Sequence, residues 1–152
     1  MEIFYKLSNL PQIPAGHTLV RAQAGLYQND FYSEANNTGK VVLSMCALTQ
    51  KATLDKNLTW ANRPSRGPVL DYVDSSYSTI AQTLYWDVTA VAKKWYEDSN
   101  SNLGLVLTSN ADSTMKCRTW FSYSNVVLVV SYRSTNGIED YYTYQTMGLG
   151  NA

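Results

Sequence analysis

The chain has few charges and no charge bias. Its 12 Lys and Arg balance 12 Asp and Glu, for a formal net charge of +0, and charged residues are only 16% of the 152. Nucleic acid is therefore not expected as a partner, because a basic face would supply most of that affinity. An electrostatic hold on a membrane surface is set aside for the same reason. No apolar run approaches the roughly 20 residues that cross a bilayer, so no membrane span is expected. The opening MEIFYKL reads as a strand, with no signal peptide visible. Cysteine is scarce too: Cys46 and Cys117 are far apart in strand-like segments. They make neither a disulfide framework nor a metal knuckle, and buried thiols are favoured over a disulfide.

Histidine is scarcer still. His17 is the single one, beside the Pro14–Gly16 turn, and is expected in an exposed loop with no catalytic partner. Ser-His-Asp and Cys-His chemistry would both need it. Glu97-Asp98 and Glu139-Asp140 are candidate carboxylate pairs for glycoside hydrolysis. Adjacent strand residues point to opposite faces, however, and both pairs sit in turn-like composition. No catalytic residue is assigned, and the chain is expected not to be an enzyme.

What the chain does have is Ser, Thr, Asn and 12 Tyr, the look of exposed sheet faces and loops in extracellular β-proteins. Ile3, Tyr5 and Leu7 alternate with Phe4 and Lys6. Val20, Ala22, Ala24 and Leu26 alternate with Arg21, Gln23 and Gly25. The small residues of that second face predict a bulky partner packed over them. Asn29–Gly39 reads as a loop, Lys40–Thr49 as a long apolar strand with no assignable inward face, and Leu58–Trp60 as a short strand. Cys117–Tyr123 and Val126–Arg133 read as two more strands, with Val126, Leu128, Val130 and Tyr132 on one face.

Tyr85–Asn110 is the organising segment. Val88, Val91, Ala92 and Trp95 fall at i, i+3, i+4 and i+7, one apolar stripe at helical period, which predicts a helix over about Val88–Glu97. Asp87 or Thr89 can cap its start. Asn100, Asn102 and Gly104 tolerate the left-handed backbone of a C-cap. Leu103, Leu105 and Leu107 then return to strand period. The fold class expected is all-β: an antiparallel β-sandwich of jelly-roll type with one short helix. Residues 1–133 form the domain, and 134–152 read as a linker toward a following domain.

Trp60, Trp86 and Trp95 are expected in the core. The ligand-binding candidates are Trp120, Tyr123, Tyr27 and Tyr32, because aromatic planes stack on the C–H faces of sugars. Asp98, Asn100 and Asn102 match the opening of a calcium loop. Leu103 stands where that pattern needs Gly, and Ser109 where it needs Glu. They stay calcium candidates beside the plainer reading of a helix-end turn, and no other cofactor is expected.

Four segments resemble the DNRLRE domain, a jelly-roll module of secreted and surface proteins related to carbohydrate-binding modules. They are YKLSNLPQIPAG with AQAGLYQ; LTWANRPS, where Trp60, Asn62 and Pro64 match and Ala61 and Arg63 depart; YWDVTAVAKKWYEDSNSNLGLVL, the most specific; and FSYSNVVLVVSY. The likeness covers about residues 3–133. GIEDYYTYQTMGLGNA is similar to the linker that follows this domain in Rhs/YD-repeat proteins. The third segment also resembles, more distantly, prodomains of TGF-β-type growth factors.

The resemblance implies a bacterial or archaeal secreted or cell-surface protein, with this chain one non-catalytic module that binds carbohydrate or cell-envelope polymer. The alternative is a structural spacer or plug beside an Rhs/YD-repeat shell with no ligand of its own. Neighbouring domains of the parent chain would be its partners. The family also has strands upstream of Ile3–Leu7. That strand is therefore expected to show an open edge, covered either by another chain through edge-strand self-association or by residues 134–152 folding back.

Overall fold

Alternating side chains make His17–Ser33 a strand, β2, which is the spine of the molecule. The computed structural model describes residues 2–7, 9–34, 39–110, 116–134 and 140–147, with backbone only at 123–125 and 140–147. The other strands are β1 (Glu2–Tyr5), β3 (Lys40–Leu48), β4 (Arg66–Ser76), β5 (Gln82–Asp87), β6 (Leu105–Ser109), β7 (Cys117–Ser134) and β8 (Asp140–Met147). One helix, α1 (Thr89–Glu97), follows β5. Two four-stranded sheets result, ordered β1-β6-β3-β4 and β5-β2-β7-β8, and every pairing is antiparallel. The chain is an all-β sandwich with one helix, as its periodicities predict.

The main core lies between the sheets. Val41, Leu43, Met45, Leu105 and Leu107 come from the first sheet, and Ala22, Ala24, Leu26, Trp86, Val126, Leu128 and Val130 from the second. Ala24 lies directly across from Trp86 in register, so the large indole fills space that two alanines leave. Trp86 Nε1 donates to Leu43 O at 3.0 Å, one bond joining the two sheets. Lys40–Leu48 showed no inward face in sequence because both its faces are covered at one end. Cys46 and Leu48 belong to a second, smaller cluster with Phe4 and Val106, roofed by Leu54 and Leu58 of the 49–65 segment. That segment is a flap over the outer face of the first sheet.

Several boundaries differ from expectation for local physical reasons. β2 runs on through Asn29–Ser33, expected as loop, because bulges after Leu26 and Gln28 let it keep pairing with β7. β7 is one 18-residue strand where two were expected. β4 was missed because Pro64, Gly67 and Pro68 read as breakers. It is an edge strand, where a proline loses no ladder bond that it must make. His17 is the first residue of β2 rather than an exposed loop residue. Its Nδ1 lies 3.0 Å from Ala15 O and its ring meets Tyr132 edge-on. Both cysteines are thiols, Cys46 within β3 and Cys117 at the start of β7.

Leu58 and Thr59 are irregular and Trp60 begins a turn, so no strand forms here, and Trp60 is 68% exposed rather than core. Asn62 Oδ1 takes both Thr59 N and Thr59 Oγ1, and Asn62 Nδ2 donates to Asn57 O. Side-chain amides here satisfy backbone groups that a strand would have paired.

α1 spans the predicted range, with Ala92 and Trp95 buried and Val91 packed against the core. Val88 holds the N-cap position, but Asp87 does the capping: its Oδ1 accepts from Thr89 N at 2.9 Å and from Thr89 Oγ1 at 2.6 Å. Thr89 Oγ1 in turn accepts from Ala22 N, fixing the helix start to β2. The helix does not end on a left-handed cap. Asp98 turns extended, and Ser99–Ser101 forms a short 3-10 turn. Between the helix and β6, the positive backbone angle falls at Gly104 (φ +111°), where any side chain would sit 2.8 Å from Tyr5 O. That reversal sends Leu103 to the second cluster while Leu105 and Leu107 face the main core.

Burial tends to raise the Asp87 pKa, but the two hydrogen bonds from Thr89 and the nearby Arg21 outweigh it, leaving the group below its ordinary 3.8. A carboxylate with a lowered folded-state pKa stabilises the fold above its unfolded value, and that contribution is lost as pH falls through the folded value. Asp87→Asn should therefore flatten the fall in Tm between about pH 5 and about pH 2. Thermal melts of both proteins across that range check this. An unchanged slope would remove Asp87 from the acid limb.

The expected tail cover of β1 is not what forms. Asp140–Met147 pairs with β7, at the far edge of the second sheet. Among the described residues β1 pairs only with β6.

Candidate functional site

The candidate aromatics can be placed from the pairing of β2 with β7. Asp30 lies across from Trp120 and Tyr32 across from Arg118. Directly opposed residues share a face, and all four are exposed, Trp120 by 44% and Tyr32 by 50%. Phe31, Ser33 and Phe121 alternate to the buried side. The outer face of the second sheet thus carries two aromatics on one diagonal and an Asp and an Arg on the other. Diagonal neighbours in an antiparallel pair sit about 7–8 Å apart, the spacing of adjoining stacking surfaces rather than of a closed pocket. Tyr27, half-buried, lies further along β2, paired with Thr83. It alternates with buried Leu26 and Gln28, so it shares the outer face. Tyr123 lies within β7, and its side chain is outside the described residues.

A polar clamp lies directly behind this face. Gln28 is fully buried. Its Oε1 accepts from Thr79 Oγ1 at 2.7 Å and lies 3.1 Å from Ser75 Oγ, while its Nε2 donates to Ser76 O. Ser75 Oγ is also 3.0 Å from Thr119 Oγ1. The clamp ties β2, β4 and β7 together across the sandwich. Buried polar groups with partners fix one arrangement, so the aromatic pair stands on a rigid base. The sequence marked Trp120 and Tyr32 individually. Their juxtaposition depends on the bulges of β2 after Leu26 and Gln28, which no periodicity signals.

Two of the calcium candidates, Asp98 and Asn102, make side-chain hydrogen bonds within the chain, while Asn102 Oδ1 is buried with no hydrogen-bond partner. Asp98 Oδ1 accepts from Asn100 N at 2.9 Å, capping the 3-10 turn. Asn102 is buried and its Nδ2 donates to Leu7 O at 2.7 Å. Among the described residues no group of three or more His, Cys, Asp and Glu is placed to hold a metal ion. Of the carboxylate pairs, Glu97 ends α1 and Asp98 is its C-cap, while Glu139 lies outside the described residues.

Two features were not anticipated. The 49–65 flap presents Trp60 to solvent with the Arg63 guanidinium 3.5 Å above its ring centre, and Glu2 reaches over from β1 to both Arg63 and Arg66. The only sequence signal was the cluster of turn-forming residues around Trp60. Second, Tyr96 Oη donates to Pro11 O at 2.6 Å, and burial pushes its pKa up to about 12. It holds the Leu10–Gly16 crossing against the helix. A scan against protein-family models finds no match, and a search of curated proteins finds none.

Proposed function

We propose that this chain is a non-catalytic module of a larger secreted or cell-surface protein, one that binds carbohydrate or cell-envelope polymer. The observation that carries the reading is the Tyr32–Trp120 pair, exposed on one diagonal of a sheet face with Asp30 and Arg118 on the other. Flat aromatic surfaces suit the C–H faces of sugar rings, and the flanking charged groups suit their hydroxyls. The resemblance to DNRLRE domains and the Tyr-, Ser- and Asn-rich composition support the same reading. The rival is a rigid spacer in the parent protein.

The test is a panel of immobilised polysaccharides and envelope preparations, followed by titration calorimetry on the best ligand. Trp120→Ala and Tyr32→Ala should each weaken binding about tenfold, which is about 1.4 kcal/mol. Neither variant should lower Tm appreciably, since both side chains are exposed. Failure of every polymer to bind would favour the spacer, and unchanged affinity in both variants would remove this face from recognition.

A further inference from the structure

We propose that the cleft at Trp60 is a second binding site, on the opposite face of the sandwich, for a carboxylate-bearing sugar such as a uronic acid. The proposal rests on the reading of the domain as a carbohydrate binder and adds a site and a ligand class to it.

The cleft has a volume of about 400 Å³ and is lined chiefly by Glu2, Gln50, Trp60, Arg63, Ser65 and Arg66. That lies within the size range of small-ligand sites. Arg63 covers one face of the Trp60 ring, and its Nη1 donates to Trp60 O at 2.6 Å. With the residue still 68% exposed, the other ring face is open.

The charges converge in an unusual way. The Glu2 side chain is only 10% exposed. Its Oε1 receives Arg66 Nη1 at 2.9 Å. Its Oε2 is buried, accepts no hydrogen bond, and has Arg63 Nε at 3.5 Å. One carboxylate thus faces two guanidiniums, which leaves a unit of positive charge at the mouth of the cleft. Asp55 and Lys56 line the adjoining cleft of about 370 Å³ and offset each other. Both arginine side chains are partly exposed, 37% and 45%, so their outer edges face solvent while Glu2 fixes their inner edges.

A planar aromatic beside two oriented guanidiniums selects a particular chemistry. The C–H face of a pyranose stacks on the ring. Guanidinium forks recognise carboxylate geometry better than any other side chain does. A neutral sugar would use the ring and leave the excess charge unanswered. A bare phosphate would answer the charge and leave the ring bare. The carboxylate of a uronic acid, carried on the stacking ring itself, uses both.

The experiment is calorimetric titration of the whole domain with tetrasaccharides of glucuronic, galacturonic and mannuronic acid. Their methyl esters, inorganic phosphate and poly(glycerol phosphate) serve as controls. At least one acidic tetrasaccharide should bind saturably. Methyl esterification, Trp60→Ala and Arg66→Gln should each weaken it at least tenfold, and Trp60→Phe should recover part of the loss. Trp120→Ala should leave this affinity unchanged, and Trp60→Ala should leave any binding at the Tyr32–Trp120 face unchanged. Circular dichroism confirms that each variant is folded, and Arg63→Gln replaces Arg66→Gln if the latter is not.

No acidic sugar binding, or esters binding as well as acids, overturns the proposal while leaving the Tyr32–Trp120 reading intact. Poly(glycerol phosphate) binding as tightly as the uronates would overturn the stacking half of it. Loss of polymer binding in Trp120→Ala, with uronate binding kept, would separate the two sites directly.

Discussion

Trp86→Ala should destabilise the domain by about 3–5 kcal/mol, the usual range for truncating a fully buried tryptophan. The side chain has no exposed surface. It sits on β5, against Ala24 of β2, and fills the gap between the sheets that Ala22 and Ala24 leave open. Nothing nearby is small and mobile enough to collapse into the space, since Leu26, Leu43 and Leu84 are themselves buried. The change also deletes the Nε1 bond to Leu43 O, one direct polar tie between the sheets. Trp86→Phe separates the two effects. It keeps most of the ring volume and removes the bond, so it should cost about 1–3 kcal/mol. Urea melts read both values. A loss below about 1 kcal/mol for Trp86→Ala would contradict the packing described.

Trp95→Ala should cost a similar amount, about 3–5 kcal/mol, with a different signature. α1 has only 9 residues, short of the roughly 12–15 at which an isolated helix becomes marginally stable. Its helicity therefore depends on docking, and Trp95 with Ala92 is the buried part of its stripe. Loss of Trp95 should raise amide exchange across Thr89–Glu97 more than in β2 or β7. The Thr89 bond to Ala22 and the Tyr96 bond to Pro11 anchor the two sides of the helix and should keep it in place at low temperature. Urea melts with residue-resolved exchange test both parts. A change under about 1 kcal/mol would mean that the stripe does not carry the docking.

The parts of the fold that were legible share one property: a run of side chains at a single period packs into the main core. α1, the Leu105–Leu107 stretch and Val126–Val130 show clean periods because Ala92 and Trp95, Leu105 and Leu107, and Val126, Leu128 and Val130 each repeat toward the main core, although Val106 and Val129 are buried as well. β3 was ambiguous because the flap buries its second face near Cys46 and Leu48. β4 was hidden because the edge tolerates Pro68, which sequence reasoning treats as a stop. The two aromatic surfaces divide in the same way. Trp120 was readable from alternation with Phe121. Trp60 was not, because its surroundings are set by Asn62 and Asn57 amides and by Glu2, whose pairing with Arg63 and Arg66 spans about sixty residues of chain. Long-range ion pairs leave no local period.

The small cluster beneath the flap sets a separate energy scale. Only Leu54 and Leu58 of the flap enter it, each partly buried, and full burial of a leucine is worth only about 1.5–3 kcal/mol. The flap is therefore expected to lift while the sandwich stays folded, as a sub-global opening in which the Glu2–Arg63 ion pair also gives way. Cys46 lies under it, nearly inaccessible, with its thiol pKa pushed up by burial. Its sulfur is thus a built-in clock for that opening, because alkylation waits for the flap to rise. A sugar bridging Trp60 to Arg66 would clip the flap to the start of β4, and the clock would slow by the factor to which the site is filled.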